Sequence, residues 1–175
     1  MRHPFRLSLV AFSALLVTGS PKKPGPAELN LTDMSGAKVH LKDYRGKVVL
    51  LNFWATWCGP CKEEMPMFVA VEKEWAPKGI VFIAASLDEK AGQKNIPGFV
   101  KQYAIDFPVW KGATPDDLAR LELGEAVPDT AFLTEDGNVI FRVQGEIKRS
   151  ELIERLEWLS GDRKGPAPKA LLHNL

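Results

Sequence analysis

Cys58 and Cys61 are the two cysteines of this chain. They stand in Trp57-Cys58-Gly59-Pro60-Cys61, directly after the apolar run Lys47-Val48-Val49-Leu50-Leu51-Asn52-Phe53-Trp54. Two thiols separated by two residues, where a strand gives way to a helix, can close a small disulfide. The helix N-terminus then stabilises the first sulfur as thiolate. That is the apparatus of thiol–disulfide exchange, which needs no cofactor, and none is expected. A zinc site would need four ligands, and beyond the two cysteines the chain offers His3, His40 and His173, all outside the motif. A structural staple is disfavoured because so short a loop constrains the unfolded chain little.

The elements that position this pair must come from one core. A chain of 175 residues with 45% apolar content can bury one domain plus tails. Twenty-three basic against 22 acidic residues give a net charge of +1, which leaves no electrostatic footprint for nucleic acid. Proteins or small thiols are the expected partners. The N-terminus opens with Arg2, His3 and Arg6 and continues uncharged from Leu7 to Gly19. That run is the h-region of a signal peptide and falls short of the roughly 20 residues of a membrane span. Val17-Thr18-Gly19-Ser20 permits cleavage without forming a clean Ala-x-Ala site, so residues 1–20 are expected as a signal peptide or an N-terminal anchor. Ser20 stands where a lipoprotein signal would carry its lipidated cysteine. Residues 21–26, with Pro21, Pro24 and Pro26, read as a linker. Export places the dithiol in an oxidising compartment, where a lone pair is catalytic sooner than structural.

Downstream, Asp33-Met34-Ser35-Gly36 is a turn before an alternating strand at Lys38 to Lys42, predicting an N-terminal hairpin. Lys47 to Trp54 is apolar on both faces, as a central parallel strand requires. The helix after Cys58 carries Phe68, Val71 and Trp75 on one face and ends near Pro77-Lys78-Gly79, with Pro66 inside it. Gly79 to Ala85 is a second buried strand, which completes a right-handed βαβ unit. Between Ser86 and Gly124, a helix over 96–103, a short strand over 107–110 and a helix over 115–121 capped by Thr114 are expected. Thr130-Ala131-Phe132-Leu133 and Val139 to Val143 flank Glu135-Asp136-Gly137-Asn138, a hairpin signal. A helix over 150–159 bears Leu152, Leu156 and Leu159 on one stripe, and 161–175 reads as a flexible tail. The fold class is α/β with a mixed sheet, parallel in its first half and antiparallel in its second.

Four features together resemble the thioredoxin-fold TlpA/ResA/CcmG group of AhpC/TSA-like redoxins. They are the stretch from Asn52 to Pro66, the Val127-Pro128 pair before a hairpin, the N-terminal β-hairpin extension, and the insertion between the halves. The resemblance covers 27–160 and implies a thioredoxin-like fold with a mixed central sheet flanked by helices. It also implies that Cys58 is the nucleophile and Cys61 the resolving thiol of a redox-active disulfide. Glu64 lies about 300° around the helix from Cys61, on its face, whereas Glu63 falls at about 200°. Glu64 is thus the candidate to take the Cys61 proton, a role thioredoxins give to a buried Asp where this chain has Asn52. A solvated first-turn acid is its plain alternative. Val127-Pro128 corresponds to the family's cis-proline segment, against which an incoming peptide pairs as a short strand. Asp129 approaches the acidic residue of the CcmG type, either beside the thiols or as a solvated loop residue. Trp57 forms an exposed apolar lip for substrate, and Trp54 packs beneath the motif.

The resemblance implies an extracytoplasmic, monomeric protein-disulfide reductase, periplasmic, secreted or membrane-tethered. Apocytochrome c or copper-site cysteines are its candidate substrates, and a membrane thiol-reducing protein its electron donor. The Gly59-Pro60 pair lacks the His of strongly oxidising relatives. Two rivals stand beside this reading. A peroxiredoxin-like thiol peroxidase wants a Pro and a Thr upstream of its cysteine at set spacing, an arrangement that Leu51 to Trp57 does not show. A copper-binding metallochaperone would use both thiolates, with Met65 and Met67 the nearest soft ligands.

Overall fold

A computed structural model describes residues 25–169 and the backbone of 171–172. The expected signal segment over 1–20, and most of the linker, lie outside the described residues. The N-terminal hairpin joins β1 (Asn30–Asp33) to β2 (Lys38–His40). Asp33 closes its turn, one carboxylate oxygen accepting from the Ser35 and Ala37 N–H groups at 2.8 and 2.9 Å. A 3₁₀ turn over Leu41–Tyr44 leads into β3 (Val49–Trp54). Then follow α1 (Gly59–Trp75), β4 (Val81–Ser86), α2 (Ile96–Tyr103), β5 (Val109–Lys111) and α3 (Pro115–Arg120). The chain ends in β6 (Asp129–Leu133), β7 (Val139–Gln144), α4 (Arg149–Ser160) and β8 (Leu171–Leu172).

The strands form one sheet in the order β2-β1-β5-β4-β3-β6-β7-β8. All six residues of β3 are buried, because β4 flanks it in parallel and β6 antiparallel while helices cover both faces, the arrangement a continuous apolar run demands. The parallel block is β5-β4-β3, in the middle of the sheet. This corrects the expectation of a parallel first half. The N-terminal hairpin docks outside β5, antiparallel to it, so the insertion separates hairpin from βαβ unit. A two-strand hairpin with a tight turn is antiparallel by construction, but its sheet neighbour is a tertiary choice that local pattern does not encode.

The helices follow their expected faces. α1 buries Met65, Phe68, Val71 and Trp75 against the sheet. Thr114 and Asp117 form a reciprocal capping box on α3, the Asp117 carboxylate accepting from the Thr114 N–H at 2.8 Å. Leu152, Leu156 and Leu159 of α4 are fully packed. The same helix buries Arg155, whose guanidinium lies over Phe141 and donates to the Glu151 carbonyl at 2.8 Å and to the Lys169 carbonyl. The chain beyond Gly161 makes further specific contacts. Arg163 pairs with Glu135 at 2.7 Å, and β8 lies parallel to β7. No helix among the described residues is long and apolar enough to cross a membrane.

Leu156→Ala removes a side chain with 0% exposure, and the oxidised protein is expected to lose about 2–5 kcal/mol. Urea denaturation checks this; a loss below about 1 kcal/mol would show that α4 is not a core element.

Candidate active site

β3 and β4 both run toward the same edge of the sheet, and the two cysteines sit at that edge. β3 ends at Trp54, the chain turns through Ala55-Thr56-Trp57, and Cys58 becomes the N-cap of α1. Cys58 and Cys61 form a disulfide, S–S 2.02 Å. The Cys61 N–H donates to Cys58 Sγ at 3.1 Å, so a backbone donor at a helix N-terminus already faces the sulfur that would carry negative charge. No acidic side chain occupies the first turn of α1 to oppose it. The two sulfurs are unequal: Cys58 keeps 4% of its surface and Cys61 none.

The turn before Cys58 is clamped by Asp88, just past the end of β4. Its carboxylate accepts from the Thr56 N–H at 2.9 Å, the Thr56 hydroxyl at 2.6 Å and the Ser86 hydroxyl at 2.7 Å. Asp88 is 1% exposed, and three charge-assisted bonds offset its desolvation. Sequence reading passed over this residue. The available signal was an acid placed just past the carboxyl end of a buried parallel strand, the edge where α/β folds gather their sites. Trp57, immediately after the clamp, is 67% exposed, while Trp54 is fully buried beneath the motif.

The Val127-Pro128 bond is cis. The Val127 carbonyl oxygen lies 3.5 Å from Cys58 Sγ, a van der Waals contact in the disulfide, whose sulfur has no proton to donate. Pro128 leads directly into β6, beside β3.

Glu64 is 2% exposed, so the solvated-acid alternative is overturned. One carboxylate oxygen accepts from Asn52 Nδ2 at 3.0 Å and the other from the Ile147 N–H at 3.2 Å. Asn52 Nδ2 also donates to the Thr130 hydroxyl at 3.1 Å. These groups tie α1, β3, β6 and the loop before α4 into one buried polar cluster. Burial dominates over those two bonds and raises the Glu64 pKa from 4.5 to about 8. Glu64 and Cys61 lie one turn apart on the buried face of α1.

Asp129 is also buried, at 1% exposure, and is not the solvated loop residue weighed from sequence. Its carboxylate turns inward to the N–H groups of Gly124 at 2.6 Å and Gly145 at 3.1 Å. Desolvation nevertheless raises its pKa to about 6. Gly124 leaves room for this approach, since a Cβ there would stand a tight 3.0 Å from the Asp129 oxygen. Asp129 thus latches together the loops on either side of the β6–β7 hairpin's open end. Among the described residues no group of three or more His, Cys, Asp or Glu is placed to hold a metal ion.

The AhpC/TSA family model matches residues 23–142. The chain is 37% identical over 129 residues to the thiol-disulfide oxidoreductase ResA of Bacillus thuringiensis subsp. konkukian, covering 73% of this chain and 72% of that protein. It is 33% identical over 133 residues to the thioredoxin-like protein YneN of Bacillus subtilis, covering 74% and 75%. Among solved structures, a thiol:disulfide interchange protein of Chlorobium tepidum superposes with TM-score 0.68 at 26% identity, over 81% of this chain and all of that one. A secreted disulfide oxidoreductase of Mycobacterium tuberculosis, described as homologous to Escherichia coli DsbE, gives TM-score 0.62 at 25% identity, over 75% and 96%.

The raised Glu64 pKa has a definite sign in stability. A folded-state carboxyl that holds its proton more tightly than the unfolded chain stabilises the fold below pH 4.5 and loses that contribution as pH climbs to about 8. Glu64→Gln is therefore expected to flatten the decline in unfolding free energy between those pH values. Parallel pH profiles for the two proteins, measured by denaturant titration in the disulfide form, would contradict the assigned shift.

Proposed function

The chain belongs to the AhpC/TSA family, with the ResA-type thiol–disulfide oxidoreductases, and from that premise we propose that it reduces specific protein disulfides outside the cytoplasm. The observation that carries this reading is the unequal disulfide at the N-cap of α1, with the Val127 carbonyl against its less buried sulfur.

In the dithiol form the Cys58 thiolate, held by the Cys61 N–H, attacks one sulfur of the substrate disulfide. A mixed disulfide forms and the first substrate thiolate leaves. Glu64 then takes the proton of Cys61, whose thiolate attacks Cys58 Sγ and expels the second substrate thiolate. The protein ends as the Cys58–Cys61 disulfide and the substrate as a dithiol, the two protons of the enzyme thiols having passed to Glu64 or solvent and on to the leaving thiolates. A carboxyl raised to about 8 is a stronger base than an ordinary glutamate and closer to the unperturbed thiol value of about 8.5, and a smaller pKa gap makes proton transfer less uphill.

Trp57 would supply the apolar lip on which the substrate chain rests. The backbone at Val127 and Pro128 would pair with it as a short strand, placing the substrate sulfur in line with Cys58. The partners that fit are exported cysteine proteins, such as apocytochrome c or copper-site proteins, and a membrane thiol donor that returns electrons. The signal or anchor over residues 1–20, the domain over 27–160 and a monomeric state complete the proposal.

Equilibration against defined thiol buffers is expected to give a potential near about −270 mV, the reducing end of this protein class, and a value near about −120 mV would make the protein an oxidant. Cys58→Ala should abolish reduction of a test protein disulfide, while Cys61→Ala should accumulate the mixed disulfide. Normal turnover by Cys61→Ala would sink the two-thiol mechanism. Resolution of the mixed disulfide should accelerate with pH up to about 8 in the wild type and slow at least tenfold in Glu64→Gln. An unchanged rate in stopped-flow measurements would leave Glu64 a structural acid.

A further inference from the structure

Alongside the motif, away from Val127, an open groove of about 470 Å³ runs between the start of α1 and helix α2. Thr56 and Lys62 border it on the motif side, and Lys94, Asn95 and Gln102 on the other. Its floor is Phe99, 6% exposed, whose ring stacks on Trp54 with centroids 4.3 Å apart. The floor therefore rests on the strand that delivers Cys58. Two lysines and no acid line the groove, and neither lysine forms an ion pair among the described residues.

Gly98 supplies a second, independent observation. It lies inside the eight-residue α2, and its backbone is not in the left-handed region that favours glycine. A Cβ built on it meets nothing within 4 Å. Neither conformation nor internal packing calls for glycine there, although glycine inside a helix costs about 0.5–1 kcal/mol relative to alanine. What its missing side chain does provide is an unobstructed approach to the groove from outside.

We propose that this groove binds an acidic segment of the partner polypeptide, flanking the partner's reactive cysteine, with the segment's backbone passing close over Gly98 and its carboxylates reaching Lys62 and Lys94. The inference rests on the reduction of protein disulfides by Cys58 and names the partners that reaction prefers. Thr56 is two residues from Cys58, and Lys62 follows Cys61 directly. A few extended residues, at about 3.3–3.6 Å each, thus carry a chain from the reacting sulfur into the groove. Positive charge at an open groove also raises the encounter rate of an acidic chain, an effect that falls as salt screens it.

The test compares two peptides that carry the same disulfide and differ only in having glutamates or glutamines beside the cysteine, with hydroxyethyl disulfide as a small neutral substrate. The wild-type chain is expected to reduce the acidic peptide with kcat/KM about five- to tenfold higher at low ionic strength, and the ratio should shrink toward one in high salt. Lys62→Gln combined with Lys94→Gln should bring the ratio near one at low salt. Gly98→Leu, which blocks the approach without changing charge, should lower it as well. Reading each variant as a ratio cancels any general change in thiol reactivity. Equal rates for the two wild-type peptides, or a preference that survives in the double-lysine variant, would overturn the groove assignment while leaving the reductase intact. Failure to reduce even hydroxyethyl disulfide would overturn the reductase reading and this proposal with it.

Discussion

Asn52 is the single amide side chain in a strand buried on every residue, and the active-site end of the molecule is organised around its two Nδ2 donors. Its amide finds Glu64 on α1 and Thr130 on β6, so strand order and the rotation of α1 are fixed together. Turning α1 so that Met65 took the place of Glu64 would leave a buried Asn52 donor unpaired at a cost of about 1–3 kcal/mol. The same rotation would carry Cys61 out of the core. The position of the buried sulfur and the position of the buried carboxylate are therefore one constraint.

That constraint lowers stability. A glutamate whose pKa rises from 4.5 to about 8 on folding must take up a proton near neutral pH, which costs about 3 kcal/mol relative to an exposed side chain. A leucine would pack there without that penalty. The acid makes sense where a proton must be held and released beneath a thiol. Asp129 shows the contrast: two backbone N–H groups and lesser desolvation leave its pKa at about 6. Near pH 7 it stays largely ionised while Glu64 is largely neutral. Two neighbouring carboxyls thus differ in charge near pH 7, the one that latches loops ionised and the one on α1 neutral.

Most of this fold could be read from local pattern. The apolar run into the motif, the helical stripes of α1 and α4 and the Asp136-Gly137 hairpin each placed an element within a few residues. Thr114-Pro115-Asp116-Asp117 even announced the N-cap of α3, because capping is written within four residues. The Cys58–Cys61 pair was legible for the same reason, and rotation about a helix sufficed to separate Glu64 from Glu63. What escaped sequence reading lies across long separations. Docking of the hairpin on β5, the Asp88 clamp on Thr56 and the inward turn of Asp129 depend on which loops the sheet order brings together. The burial of Arg155 depends on the chain beyond Gly161 returning past α4, and no periodicity announces that return.

The chemistry itself is generic: any accessible thiolate with a second thiol one turn deeper can exchange disulfides. Discrimination among partners has to come from surfaces around Cys58, and the two sides of that sulfur differ in kind. Toward β6 the surface is backbone, the Val127 carbonyl lying 3.5 Å from Cys58 Sγ, a group that would pair with an extended chain of nearly any sequence. Toward α2 the surface is built from side chains, on an aromatic floor fixed to β3. On the reading proposed above, the backbone side would set geometry for every substrate alike, and selectivity would fall to the side chains around Cys58. The Asp88 clamp holds Thr56, at the border of the surface toward α2, and Cys58, two residues away, in one rigid unit.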